Sequence, residues 1–329
     1  MTTMKHFLSG ALLLALAFLF TNCTKDDDSS VDPSDKTGSA QFEITDGPAD
    51  DARIQGAFVT VTEVRVDGKA ISDFSGKQTI DLMAYQNGNT KALGLAELES
   101  GTYSNVSLVL DYATDANGNS PGCYVLTTDN VKHNLQASTS ASNEIKLNTG
   151  EFTVEEGSTT NIVIDFDLRK AIRYEETPSN SDGYDFVSEG EMRSSLRLIA
   201  KAKAGQAKGQ CNDNLGIAGD KIVVYAYKKG TYNKATEMSG QGQSQVQFKN
   251  AVTSASVDAQ GNYTLAFLEE GDYELHFIGY EDDDNDGQSE VKGELQLDLL
   301  GNLGINLNDV SVDANASVTI NVTVIGLLP

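Results

Sequence analysis

Apolar residues recur at every second position through most of this chain, a spacing that gathers them on one face of a strand and on no single face of a helix. Phe58, Thr60, Thr62, Val64 and Val66 follow it, as do Val106, Leu108 and Leu110. So do Ile162, Ile164, Phe166 and Leu168, then Leu196, Leu198 and Ala200, and later Val223, Tyr225 and Tyr227. Turn-forming pairs such as Asp67-Gly68, Asn117-Gly118 and Gly261-Asn262 punctuate these runs at the spacing of a sandwich. The pattern predicts an all-β fold of two tandem antiparallel β-sandwich domains.

An ordered internal echo supports two similar units. Leu98-Glu99-Ser100-Gly101-Thr102-Tyr103 leads into the strand at Val106, and Leu268-Glu269-Glu270-Gly271-Asp272-Tyr273 leads into Leu275 and Phe277. A second echo follows at a constant offset of 158 residues: Phe152, Val154, Gly157, Ile162, Ile164 and Phe166 against Val310, Val312, Asn315, Ile320, Val322 and Val324. Gly and Asn best tolerate left-handed backbone, so the exchange of Gly157 for Asn315 is physically consistent. Hairpins common to all β-sandwiches would also give such echoes, so common ancestry of the halves is left open.

The start of the chain has a different character. Lys5 and the uncharged run from Phe7 to Phe20 have the layout of a secretion signal, and fourteen residues are too few to span a bilayer comfortably. Phe20-Thr21-Asn22-Cys23 resembles a lipobox, which implies lipidation of Cys23 as the first mature residue; Asn22 departs from the usual Gly or Ala. Thr24-Lys25-Asp26-Asp27-Asp28 is too polar to fold and forms a solvated tether. Its lysine and acidic run also resemble the surface-export signal of Bacteroidota-type lipoproteins. The organisation expected is a signal peptide over 1–22, a tether over 23–39, one domain over 40–203 and a second over 204–329. The location expected is the outer membrane, lipid-anchored and facing the cell exterior.

Charge narrows the partners. A net charge of −24 and a pI near 4.3 repel phosphates, which argues against nucleic acid and leaves cations as natural partners. With Cys23 lipidated, Cys123 and Cys211 remain in a compartment that permits disulfides. Two outcomes are open: a bridge joining the halves, or two buried thiols packed as small hydrophobes.

Several segments in register resemble a specific family. Phe42-Glu43-Ile44-Thr45-Asp46-Gly47-Pro48-Ala49-Asp50-Asp51, the strand from Phe58 to Gly68, Ile80-Asp81-Leu82, the turn at Leu98 and Ile164-Asp165-Phe166-Asp167 occur in the order of the lipoprotein domain of unknown function 4382. The likeness covers about residues 40–203. The chain departs from it at Gly47, where Ala is frequent, and at Asp73-Phe74, where a Trp is frequent. The resemblance implies a fold and a location, and no chemistry. From about Ala204 the chain resembles a prealbumin-like or carboxypeptidase-regulatory-like β-sandwich, through Lys221 to Tyr227, Asp258 to Tyr263 and the turn at Leu268. Such domains are structural or binding spacers.

The sharpest local motif is Asp282-Asp283-Asp284-Asn285-Asp286-Gly287-Gln288-Ser289-Glu290. Oxygens from Asp282, Asp284 and Asp286, a turn at Gly287, the Gln288 carbonyl and the Glu290 carboxylate would surround Ca²⁺. Gly293 stands where an EF-hand has its last glutamate, and strands replace its helices, so the loop is a calcium hairpin or, failing that, a solvated acidic turn. Asp111, Asp115, Asn117 and Asn119 read first as a hairpin turn. Asp46, Asp50, Asp51, Asp165 and Asp167 could meet at one end of the first domain, although alternation places Asp165 and Asp167 on a polar, exposed face. His133 and His276 are too few for a three-histidine zinc site, no HExxH or GxSxG occurs, and His276 reads as a packed strand residue.

The function expected is therefore a non-enzymatic structural or adhesive surface module whose partner is an unknown surface protein or glycan. The alternative is a glycan-binding accessory lipoprotein of a nutrient-uptake system. Twelve tyrosines could stack on sugars, while the absence of Trp weighs against that use.

Overall fold

In the computed structural model the described residues are 36–48, 51, 53–136, 143–147, 150–174, 183–284, 289–299 and 306–328. The signal segment, Cys23 and the tether up to residue 35 lie outside them, as do Asp50, Asp286 and Gln288. The tether ends earlier than residue 39, because Thr37 is already paired with Glu99 in a sheet.

The first domain packs two main sheets, with two short two-stranded pairings beside them. One is five-stranded and orders Leu196–Ala200, Thr159–Asp167, Thr37–Gly47, Lys91–Glu99 and Asp73–Phe74 side by side. The other is built on Ile54–Val66, flanked by Tyr124–Thr127 and Val106–Leu110. Ala40, Phe42 and Ile44 point inward from one sheet as alternation predicts. In the other the core takes Val59 and Val61 rather than Phe58, Thr60 and Thr62, and a bulge between Val61 and Glu63 shifts the phase so that Val64 and Val66 also point inward. Phe152 completes it, edge-on to Phe42 at 5.7 Å and stacked on Tyr103 at 5.5 Å. Asp67 and Gly68 have φ of 50° and 75°, the two positive values a type I′ hairpin demands, and Val66 pairs directly with Lys69.

The second domain is one nine-stranded sheet, ordered Thr253–Ser256, Lys221–Lys228, Gly271–Glu281, Glu290–Leu299, Val322–Leu327, Ala204–Asn212 and Asn262–Glu269, with two short strands paired off this path. Its interior is Val224, Leu265, Leu275, Phe277, Val322 and their neighbours. Lys221–Lys228 is buried on both faces, since Val223, Tyr225 and Tyr227 form a separate cluster with Phe248, Ile278 and Tyr280.

The internal echo is a repeat of register as well as of sequence. Thr37 pairs with Glu99 as Ala204 pairs with Glu269, and Ser39 pairs with Thr159 as Gln206 pairs with Ser317. Phe152 pairs with Tyr103 as Val310 pairs with Tyr273. The tyrosine hydroxyls donate to equivalent carbonyls, Tyr103 to Glu99 at 2.8 Å and Tyr273 to Glu269 at 2.6 Å. Gly157 and Asn315 both adopt left-handed backbone, φ 66° and 56°, and donate their N–H to the carbonyls of Thr37 and Ala204. Each first strand also passes so close to the returning turn that only glycine fits. A Cβ on Gly38 would lie 2.2 Å from the Glu155 carbonyl oxygen, and one on Gly205 2.3 Å from that of Asp313.

The same registers correct one expectation. The five-stranded and nine-stranded sheets are mixed, because Thr37–Gly47 runs parallel to Thr159–Asp167 and Ala204–Asn212 runs parallel to its returning strands, while the sheet built on Ile54–Val66 is antiparallel throughout. Alternation is blind to strand direction, so nothing in the period-two pattern could have disclosed this.

Candidate functional site

The acidic hairpin loop assembles in part as its spacing suggests. Glu281 and Glu290 are cross-strand partners at the end of Gly271–Glu281 and the start of Glu290–Leu299, which holds the loop mouth closed. Across that mouth, ligand oxygens of Asp282, Asp284 and Glu290 lie within 4.8 Å of one another. Oxygens spaced so can share one Ca²⁺ at its usual bond length of about 2.4 Å. The loop base is pinned by the Asp282 N–H, which donates to Asp220 at 3.0 Å. Asp286 and Gln288, the other two expected ligands, fall outside the described residues.

The aspartates at the end of the first domain do meet, though not as an exposed patch. Asp46, Asp165 and Asp167 are 6%, 4% and 6% exposed, which overturns the expectation that alternation leaves Asp165 and Asp167 on a solvated face. That polar face is covered by the second domain. Asp167 holds Arg169 at 2.8 Å and Lys170 at 3.2 Å, and Asp165 holds Arg197 Nε at 3.0 Å. Burial pushes the Asp167 carboxyl up, but the Arg169 and Lys170 cations prevail and hold it below its ordinary value. Among the described residues, no cation forms an ion pair with Asp46. Burial drives its carboxyl well above the ordinary range despite hydrogen bonds from Gln86 at 3.0 Å and the Leu168 N–H at 3.1 Å.

These cations reach onward into the second domain. Arg169 Nη1 donates to the carbonyls of Gln247 at 2.9 Å and Phe248 at 2.8 Å, and Lys170 Nζ to that of Ala251 at 2.6 Å. The Arg169 guanidinium also lies 5.2 Å from the Tyr225 ring, which is stacked on Phe248 at 4.3 Å. Ser244 donates its hydroxyl to Glu191 at 2.7 Å. Arg169, Lys170 and Arg197 were not singled out from the sequence. The available signal was two cations, Arg169 and Lys170, directly after two aspartates at a strand end, while Arg197 lies on the separate strand Leu196–Ala200.

Beside this seam lies a cleft of about 310 Å³. Its walls are Tyr174 and Tyr184 from the first domain and Ser244 to Gln247 from the second, with Ser289 at the edge of the acidic loop. Elsewhere, His276 is packed as expected: its ring stacks on Tyr232 at 3.6 Å and its Nδ1 lies 2.6 Å from Glu294. Asp115 behaves as a turn residue, its Oδ1 accepting from the N–H groups of Asn117 and Asn119 at 2.8 Å each.

The cysteines resolve the two open outcomes. Cys123 and Cys211 are free and buried, one in each domain's core, so the bridge is replaced by two packed thiols. Burial pushes both thiols up to about 12, which removes the thiolate that exchange would need.

The fold defines an all-β chain of two sandwich-like units. Over residues 37–187 it matches the family described as Domain of unknown function (DUF4382), as the lipoprotein-domain resemblance implied. The match stops short of Leu196–Ala200, although that strand closes the same sheet. No curated protein matches the chain. Among solved structures it is similar to a leucine-rich repeat protein from Bacteroides thetaiotaomicron, with 13% identity, 89% of this chain and 26% of that one covered, and a TM-score of 0.21. It is also similar to GBS52, the minor pilin of Streptococcus agalactiae, with 13% identity, 88% and 97% covered, and a TM-score of 0.21. The BcpA major pilin subunit of Bacillus cereus follows at 9% identity, 87% and 70% covered, and a TM-score of 0.19.

Proposed function

We propose that this protein is a non-enzymatic surface module, anchored to the outer membrane through lipidated Cys23, whose two β-domains act as one stiff unit carrying a binding face away from the bilayer. The observation that carries this reading is the seam between the domains. Arg169 is buried and Lys170 half-buried, and both are held on one side by Asp167 and on the other by three main-chain carbonyls of the partner domain. A flexible pair of beads would not bury cations at its hinge, since each needs fixed partners to offset its lost hydration. The lipobox-like Phe20 to Cys23 and the acidic tether support the anchor and the outward orientation.

We further propose that the Asp282 hairpin binds Ca²⁺, supported by the convergence of three carboxylates across its mouth. Calcium there would stiffen the hairpin tip and neutralise part of a strongly acidic chain.

Mass spectrometry of the mature N-terminus tests the anchor. The expected product begins at Cys23 and carries acyl chains. An unlipidated start, or hydrolysis of protein or polysaccharide by the purified chain, overturns the reading.

A further inference from the structure

We propose that the cleft between the two domains binds a neutral saccharide, a role that goes beyond the spacer reading and does not depend on the anchor. At about 310 Å³ and on a domain boundary, the cleft has the size and position usual for small-molecule sites. Its aromatic wall is Tyr174, on a short strand, Ile172–Tyr174, paired with Tyr184–Phe186. Tyr174 is 37% exposed, yet its ring is held in place by the Arg53 guanidinium 4.2 Å from its centroid. Tyr184 is held likewise, donating its hydroxyl to Asp51 at 2.6 Å. With one face covered by Arg53, the other face of this fixed, partly exposed ring is the flat apolar surface on which a pyranose packs.

The opposite wall supplies polar groups. Gln245 and Gln247 line this wall and donate their side-chain N–H groups to the carbonyls of Gly242 at 2.8 Å and Met238 at 2.9 Å, which fixes two amides whose oxygens are of the type that accepts from a sugar hydroxyl. Gln245 and Phe248 have φ of 50° and 49°, left-handed values that non-glycine residues adopt chiefly where the surroundings impose them, and ligand sites are one such place.

Charge selects the class of sugar. Arg53 faces Asp51 at 2.8 Å, Arg169 faces Asp167 at 2.8 Å and Arg173 faces Asp185 at 3.8 Å, so the cleft is balanced rather than cationic. Set in a chain of net charge −24, a balanced cleft disfavours acidic sugars. A wholly apolar ligand would leave the amides of the second wall desolvated and unpaired.

Titration calorimetry on the full mature chain, with a panel of neutral glucose-, xylose-, galactose- and mannose-built trisaccharides and with trigalacturonate, tests this. At least one neutral trisaccharide should bind saturably, and Tyr174→Ala and Gln245→Gly should each weaken it by about tenfold, with trigalacturonate silent. Gln245→Gly relieves a left-handed backbone, so it keeps the fold and decides the matter if Tyr174→Ala does not fold. Silence of every neutral trisaccharide, affinity unchanged in the variants, or tighter binding of trigalacturonate overturns the proposal.

Discussion

At the scale of single residues, the two domains repeat the same close approach. Gly205 is confined by the Asp313 and Ala316 carbonyl oxygens and the Val312 side chain, and backbone cannot step aside as a flexible side chain can. Gly205→Ala should therefore cost about 2 kcal/mol or more, read as a lowered midpoint in urea, and Gly38→Ala should do the same in the first domain. Asp46 makes a prediction of opposite sense. Its folded carboxyl titrates above its unfolded one, so the folded state holds the proton more tightly. The resulting cost is absent at low pH and grows as pH rises from the unfolded value through the folded one. Asp46→Asn, which keeps an acceptor and carries no charge, should raise the thermal midpoint at pH 8 and change it little at pH 3. An equal shift at both pH values would show that the carboxyl is not protonated on folding.

At the scale of elements, strand ends decide what alternation leaves undetermined. The Gly271–Glu281 and Glu290–Leu299 strands hold their loop by direct pairing at its mouth, so a cation bound there should stabilise the hairpin. Thermal unfolding in millimolar calcium should lie above that in chelator, and Asp284→Ala should erase the difference; coincident midpoints for the unmodified chain would remove calcium from the account. The strand Thr159–Asp167 shows the converse. Ile162, Ile164 and Phe166 went to the core as the period required, but Asp165 and Asp167 are buried too, because a second domain sits on their face. The aspartates were visible in the sequence, whereas their burial depends on packing that no local pattern encodes. The convergence of Asp282, Asp284 and Glu290 was legible because those residues are neighbours in the chain. The seam and the cleft were not, because they join Arg169 and Tyr174 to residues some seventy positions away.

At the scale of the whole molecule, the seam predicts joint unfolding. Arg169→Met removes the cation that faces Asp167 and the Gln247 and Phe248 carbonyls, and should cost about 3 kcal/mol by stranding a buried carboxylate. Calorimetry should then show the single transition of the unmodified chain splitting into two. Because Asp167 is held below its ordinary pKa, its contribution is full above the unfolded value and is lost as pH falls through the folded one. The gap between variant and parent should accordingly narrow in acid. A variant that still melts in one transition at an unchanged temperature would mean that the domains are coupled elsewhere.

The sequence alone determined the all-β class, the hairpins, the two echoing halves and the left-handed positions Gly157 and Asn315, because each of these is written in residues close together or in a repeating period. The register match goes further, since Thr37 with Glu99 and Ala204 with Glu269 show that the halves share these strand pairings even though their sheets are divided differently. Only the tertiary structure decided the parallel pairing, the separation of Cys123 from Cys211 and the burial of Asp46, Asp165 and Asp167. Each of those depends on which surfaces meet, and a period of two records which side of a strand is apolar without recording what comes to cover the other side.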